Sequence, residues 1–250
     1  MRGLLLIVLC VCCSRQYAQD FGAIDTDAEG FNQPYLYNFF GAAAGVALPL
    51  GSFKSNDFFN LSSGYAMQGF AANLVKFEQR FDQHLGVSLN WNMTMYEYDI
   101  ASYLKVYNQE YSGIYSFDGK AEQWRFHNVS ASLLITAPYK RLTLQGRIGV
   151  GIGRLTRPQL TINIYDLATI GMGWIWTQHE VTHHGAVACA GYTFTFHATP
   201  KFDLMFTSEY ARMRANYEVV EFINLTQTAL TNTVTIVESL SLMFGMGLNF

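Results

Sequence analysis

The sequence predicts an all-β fold, an eight-stranded antiparallel up-and-down transmembrane β-barrel. Three observations carry this. Apolar residues recur at every second position in run after run, the mark of strands with one apolar face. Short and long connections alternate along the chain, as in a barrel with tight turns at one rim and loops at the other. The 250 residues are 50% hydrophobic but only 14% charged, against about 25% charged in ordinary soluble domains. A formal charge of −3 supplies no broad basic field, so nucleic acid is not expected as a partner.

Taken in order, the chain starts with Met1-Arg2, an apolar run over 3–13 and the polar stretch Ser14-Arg15-Gln16-Tyr17-Ala18-Gln19. A basic start, a short apolar core and a small residue before a polar one read as a secretory signal peptide, residues 1–18. The run is too short for a helical anchor, which needs about 20 apolar residues. Cys10, Cys12 and Cys13 lie in this leader. Lipoprotein processing is the alternative, but the residues just before each cysteine, Leu9, Val11 and Cys12, are not small. Cys189 then remains as a single thiol in the mature chain, so no intramolecular disulfide can form. Residues 19–34 read as an N-terminal periplasmic segment and 35–250 as the outer-membrane barrel.

Eight period-two runs fall at about 35–50, 64–81, 85–99, 124–137, 142–156, 183–198, 202–217 and 233–250. In the third, Val87, Leu89, Trp91, Met93 and Met95 alternate with Ser88, Asn90, Asn92 and Thr94. In the fourth, Val129, Ala131, Leu133 and Ile135 alternate with Asn128, Ser130 and Ser132. In the fifth, Leu142, Leu144, Ile148, Val150 and Ile152 oppose Thr143, Gln145 and Arg147. In the sixth, Ala186 to Phe196 in steps of two oppose Cys189, Thr193 and Thr195. The eighth places Leu240, Leu242, Phe244, Met246, Leu248 and Phe250 against Ser239, Ser241, Gly245, Gly247 and Asn249. Short turns are expected at 82–84, 138–141 and 199–201, and long loops at 51–63, 100–123, 157–182 and 218–232. With both termini at the short-turn rim, that rim is periplasmic.

A water-soluble lipocalin-like barrel or a β-sandwich would bury the apolar face and show the polar one. Here the polar faces are rich in Gly, Ser, Thr and Asn, groups small enough for a crowded lumen, and the apolar faces nearly lack Lys and Glu. Aromatics gather towards strand ends at Tyr35, Tyr37, Phe77, Phe81, Trp124, Phe126, Phe202, Phe206, Phe244 and Phe250, as girdles do at lipid headgroup depth. A closed barrel is also the one sheet with no unpaired backbone in hydrocarbon.

The segments Gly45-Val-Ala-Leu-Pro-Leu-Gly-Ser-Phe53, Gly64-Tyr-Ala-Met-Gln-Gly69 and Arg147-Ile-Gly-Val-Gly-Ile-Gly153, with the terminal Phe250, resemble small outer-membrane β-barrel proteins of the Bacteroidota. That group sits beside the OmpA transmembrane domain and includes PorT-like proteins. The resemblance implies a bacterial outer-membrane location, insertion by the barrel-assembly machinery and a C-terminal assembly signal at Phe244, Leu248 and Phe250. Fold does not fix function, so the resemblance speaks to architecture and compartment first.

Continued inward, the alternation puts Lys76, Glu78, Arg80, Gln145, Arg147, His197, Asp203 and Glu209 on the polar face. In so narrow a barrel side chains fill the interior, and opposite charges are expected to pair because lone buried charge is costly. Lys76, Glu78, Arg80, Arg147, Asp203 and Glu209 are therefore read as a lumen charge network, with an ion or small-solute path as the alternative.

Gln178-His-Glu-Val-Thr-His-His184 gathers His179, His183 and His184 as a weak candidate metal site, set in β-like surroundings that do not suit the helical zinc-protease arrangement. A lipid-modifying enzyme would need His and Ser together at the rim. The candidates His127 with Ser130 or Ser132 fall on opposite parities. No cofactor is expected. The long loops carry Tyr103, Tyr107, Tyr111, Tyr115, Phe117 and the run Ile170-Gly-Met-Gly-Trp-Ile-Trp176, either a contact surface for a protein partner or a lid over the mouth. Arg212 and Arg214, on the outward parity, are placed to meet lipid phosphates.

The function read from all this is non-enzymatic: a structural or partner-binding barrel, with membership of a secretion or envelope assembly in view. A lateral-gate transporter of small apolar solutes is the alternative, and a lipid-modifying enzyme ranks behind it.

Overall fold

A computed structural model describes residues 38–60, 62–169, 173–224 and 227–250. The signal peptide, the 19–34 segment, Tyr35 and Tyr37 lie outside the described residues. In chain order the elements are β1 (Asn38–Leu50), α1 (Gly51–Lys54), β2 (Ala66–Arg80), β3 (Leu85–Tyr98), α2 (Ile100–Glu110), β4 (Tyr115–Ala121), β5 (Trp124–Tyr139), β6 (Leu142–Arg157), β7 (Leu160–Asp166), β8 (Gly173–Gln178), β9 (Val181–His197), β10 (Phe202–Asn224) and β11 (Gln227–Asn249).

Strands β1, β2, β3, β5, β6, β9, β10 and β11 form a closed antiparallel barrel in which chain neighbours are spatial neighbours. The eight strands expected from the alternation are the eight staves. The seam joins β1 to β11 from Phe39 opposite Asn249 to Leu50 opposite Glu238. Asn38 N donates to the Phe250 carbonyl at 2.9 Å, and Phe250 N to the Asn38 carbonyl at 2.9 Å. Closure satisfies the edge of every stave, which an open sheet could not do.

The barrel is inside-out relative to a soluble core. Ile148, Val150 and Ile152 are 66%, 71% and 73% exposed, whereas Lys76, Gln145 and Thr193 are 2%, 2% and 0% exposed. Strand parity explains this directly, since successive side chains alternate between wall and lumen. Two residues assigned to the aromatic girdle depart from it: Trp124 and Phe126 are 1% and 0% exposed. They share parity with Asn128 and Ser130, which are also buried, so they face inward, and the assignment to the outer girdle is corrected.

Short turns link β2–β3, β5–β6 and β9–β10. In the first, the Asp82 carboxylate accepts from the backbone N–H groups of His84 (2.6 Å) and Leu85 (2.7 Å), which hold its pKa below the ordinary carboxylate value.

At the opposite rim the expected long loops are largely structured. Of residues 218–232, read as a loop, 218–224 and 227–232 instead continue the β10–β11 ladder, with Glu218 opposite Asn232 and Phe222 opposite Thr228. Each of these strands is 23 residues long, and about 9–11 suffice to cross a bilayer, so the hairpin projects well beyond the barrel. The β-branched residues Val219, Val220 and Ile223 favour strand, but they lack the alternation that marks the barrel staves. The other long connections build a second sheet in the order β4-β7-β8, against which α2 packs through Leu104, Phe117, Ile162 and Ile164. Asp99 caps α2 by accepting from Ser102 N at 3.0 Å, satisfying a first-turn donor.

Candidate functional site

Three layers follow one another along the barrel axis. The first is the charged lumen. Lys76 Nζ lies 2.8 Å from Glu78 Oε1 and 3.2 Å from Thr193 Oγ1. Glu78 Oε2 accepts from Gln145 Nε2 at 2.8 Å, and Arg80, two residues further along the same inward face, is also buried. Arg147 forms an ion pair with Glu209, whose other oxygen accepts from Asn92 Nδ2 at 2.7 Å. Asn92 also connects to Asn128 (3.2 Å) and Asn73 (2.7 Å). Asp203 Oδ1 pairs with His197 Nδ1 at 2.8 Å, and His197 Nε2 meets Thr143 Oγ1 at 2.8 Å.

The structure thus brings Lys76 to Glu78, Arg147 to Glu209 and Asp203 to His197. A void beside Asn92, Asn128 and Glu209 measures about 10 Å³, barely one water's worth of room. The asparagines carry the same inward parity as the charged residues, and their amides complete this layer.

The second layer closes the mouth, and sequence reasoning missed its centre. Phe53, on α1, is fully buried in the barrel opening. Its ring sits edge-on to Tyr96 (5.1 Å between centroids) and Trp124 (5.3 Å). Gly51 makes the turn into α1 with φ +54, a conformation that suits glycine. Trp124 Nε1 donates to the Gly64 carbonyl at 2.9 Å, and a Cβ on Gly64 would collide with the Phe53 carbonyl oxygen and ring. The following residue, Tyr65, holds φ +50, a strained state for a bulky side chain. It stacks on Tyr98 (5.6 Å, 23° between planes) and meets Tyr103 edge-on at 5.3 Å. Burial, with Tyr103 and the carboxylates Asp57 and Asp99 nearby, raises its pKa. Gly51 and Gly64, on either side of the segment that holds Phe53, were the available signal for this plug.

The third layer is the α2 and β4-β7-β8 cap. Of the aromatics in the long loops, Tyr107 packs on Phe58 (5.0 Å) and Phe117 (5.4 Å), and its pKa is raised by burial and neighbouring phenols. Asn108 bonds both the N–H and the carbonyl of Phe117, at 2.8 and 2.9 Å, tying helix to sheet. These rings pack on one another as a lid would, while Ile114, Tyr165, Leu167, Trp174 and Ile175 remain 46–73% exposed at the tip.

The histidines do not assemble. His183 lies opposite Leu155, and His184 opposite Arg154. Adjacent strand residues point to opposite faces, and His179 sits in the turn before β9. Among the described residues no three His, Cys, Asp or Glu side chains gather to hold a metal, so His179, His183 and His184 are not brought together as one group. His127 lies on the parity opposite the buried Ser130 and Ser132. Arg212 is outward but paired with Glu238, at 3.4 Å. Phe244, Leu248 and Phe250 are outward and exposed, with Phe244 against Phe206 at 4.9 Å.

No protein-family model matches the chain, and no curated protein matches it. Among solved structures, it is similar to a major outer membrane protein from Thermus thermophilus, at 13% identity over 86% of this chain and 99% of that one, with a TM-score of 0.46. It is similar to Neisserial surface protein A at 15% identity over 87% and 98%, TM-score 0.43. It is also similar to Ail, the attachment invasion locus protein of Yersinia pestis, at 15% identity over 86% and 97%, TM-score 0.38.

Proposed function

We propose that this chain is a non-conducting outer-membrane β-barrel that holds a recognition cap outside the cell, the long-connection rim being extracellular. The observation that carries the reading is the exposed apolar tip of Trp174, Ile175, Tyr165, Leu167 and Ile114, set on the packed cap of α2 and β4-β7-β8 above a lumen that holds paired charge. Exposed apolar patches of this kind mark contact surfaces. A lateral-gate transporter needs an apolar tunnel from the loops to the wall, whereas this lumen is polar and packed. Membership of a secretion or envelope assembly, as in the PorT-like group, is the specific form of partner binding that the sequence resemblance favours.

Two measurements test the parts separately. Ile148→Arg, near the middle of the outward series Leu142 to Ile152, is expected to cost about 2–4 kcal/mol of folding stability in phospholipid bilayers, the penalty for Arg at mid-membrane on a lipid face. A soluble barrel with the same exposed Ile148 would tolerate the change within about 0.5 kcal/mol, and that result would overturn the membrane reading. Trp174→Glu with Ile175→Glu should leave the barrel folded, yet abolish stoichiometric co-purification from native membranes in mild detergent. A parent protein that comes out alone, or a double variant that keeps its companion, would count against recognition through the tip.

A further inference from the structure

On the outer wall, His127 of β5, Arg154 of β6 and His184 of β9 lie side by side in one cross-strand row, His127 opposite Arg154 and Arg154 opposite His184. They rim a recess of about 460 Å³ whose floor includes Val129 and Ile152. On β6 the outward series Leu142, Leu144, Gly146, Ile148, Val150 and Ile152 ends at Arg154. Ten residues of strand rise about 34 Å, and a tilt of about 40° reduces that to about 26 Å, the height of a lipid-facing apolar band. Arg154 therefore stands where hydrocarbon gives way to headgroups.

The nearby cations differ in how they are engaged. Arg125, two residues above His127, is in an ion pair with Glu180, and Arg212 on β10 is held by Glu238. Arg154, His184 and Arg214 have no carboxylate partner among the described residues. An unpaired guanidinium beside two imidazoles, over an apolar floor, is complementary to a phosphate carried on acyl chains: the donors match the anion and the floor matches the chains.

We infer that this recess seats the phosphate of an anionic lipid of the outer leaflet, with Arg154 as its principal donor and the acyl chains running down over Val129 and Ile152. The inference rests on the membrane reading above. Its ligand is the lipid-borne phosphate rather than the free ion, because the apolar floor contributes only to the former.

The test uses the full barrel in detergent micelles doped with phosphatidylglycerol or phosphatidylcholine, with bound lipid counted by native mass spectrometry. The parent should retain one phosphatidylglycerol at least about tenfold more tightly than phosphatidylcholine, and Arg154→Ala should remove about that factor, the loss of one charge-assisted anchor. Arg212→Ala, whose partner is Glu238, should leave it nearly unchanged, and Arg154→Lys should restore part of the preference. Equal retention of the two lipids by the parent, or undiminished preference in Arg154→Ala, overturns the site. Inorganic phosphate binding as tightly as the lipid overturns the lipid assignment. Folding of the parent into phosphatidylcholine vesicles is measured alongside: failure there strikes the membrane reading itself, while normal insertion without anionic preference strikes the recess alone.

Discussion

Glu209→Ala is expected to lower the folding stability of the barrel by about 3–5 kcal/mol, the cost of leaving one member of a buried ion pair without its partner. Glu209 is 4% exposed and sits on β10, across the lumen from Asn92. Its removal strands the Arg147 guanidinium, 6% exposed, and also takes one of the two acceptors of the Asn92 amide. Urea titration of the protein folded into micelles, followed by its β-sheet circular dichroism, reads the effect. The double variant Arg147→Met with Glu209→Leu should recover most of the loss, because an apolar pair of similar volume avoids the desolvation that the ion pair must offset. A single variant within about 0.5 kcal/mol of the parent would mean that water reaches this layer and that the lumen is not sealed here.

Phe53→Ala should cost about 3–5 kcal/mol, the range for deleting a fully buried aromatic ring. The ring lies between Tyr96 and Trp124, and its loss leaves a hole at the barrel mouth rather than a dent in a surface. Trp124, 1% exposed, should then become accessible to acrylamide quenching, read in a background where Trp91, Trp174 and Trp176 are replaced by Phe. Gly64→Ala should act in the same direction, since the new methyl collides with Phe53. Ion conductance across a planar bilayer should stay low in Phe53→Ala, because the Arg147–Glu209 layer below remains in place. Unchanged quenching in Phe53→Ala would show that α1 does not plug the mouth.

The staves were legible because a strand's two faces are written locally. Leu142 to Ile152 announces its exposed stripe whatever surrounds it, and the same parity sends Lys76, Glu78, Arg147 and Glu209 inward. Trp124 and Phe126 carried that parity too, but their aromatic character at a strand end suggested a girdle; the inward position follows from Asn128 and Ser130 on the same face. The cap was less legible. Residues 100–123 and 157–182 are far apart in sequence; Leu160, Ile162 and Ile164 do alternate with Thr161 and Asn163, but β4, β7 and β8 are only six or seven residues long, too short to show which distant segment each pairs with. Phe53 gave little warning, since a four-residue helix has no periodicity to read.

By itself, then, the sequence determined the number of staves, their order and which side chains face out or in, because alternation is a property of the extended chain and needs no tertiary contact. Only the tertiary structure decided which inward charges meet, that Phe53 fills the mouth, and that His127, Arg154 and His184 form one row. Those pairings join residues 62 positions apart at Arg147–Glu209 and 117 apart at Lys76–Thr193. They are set by the stagger at which neighbouring strands pair and by barrel closure, a geometric condition on the whole sheet rather than on any segment of it.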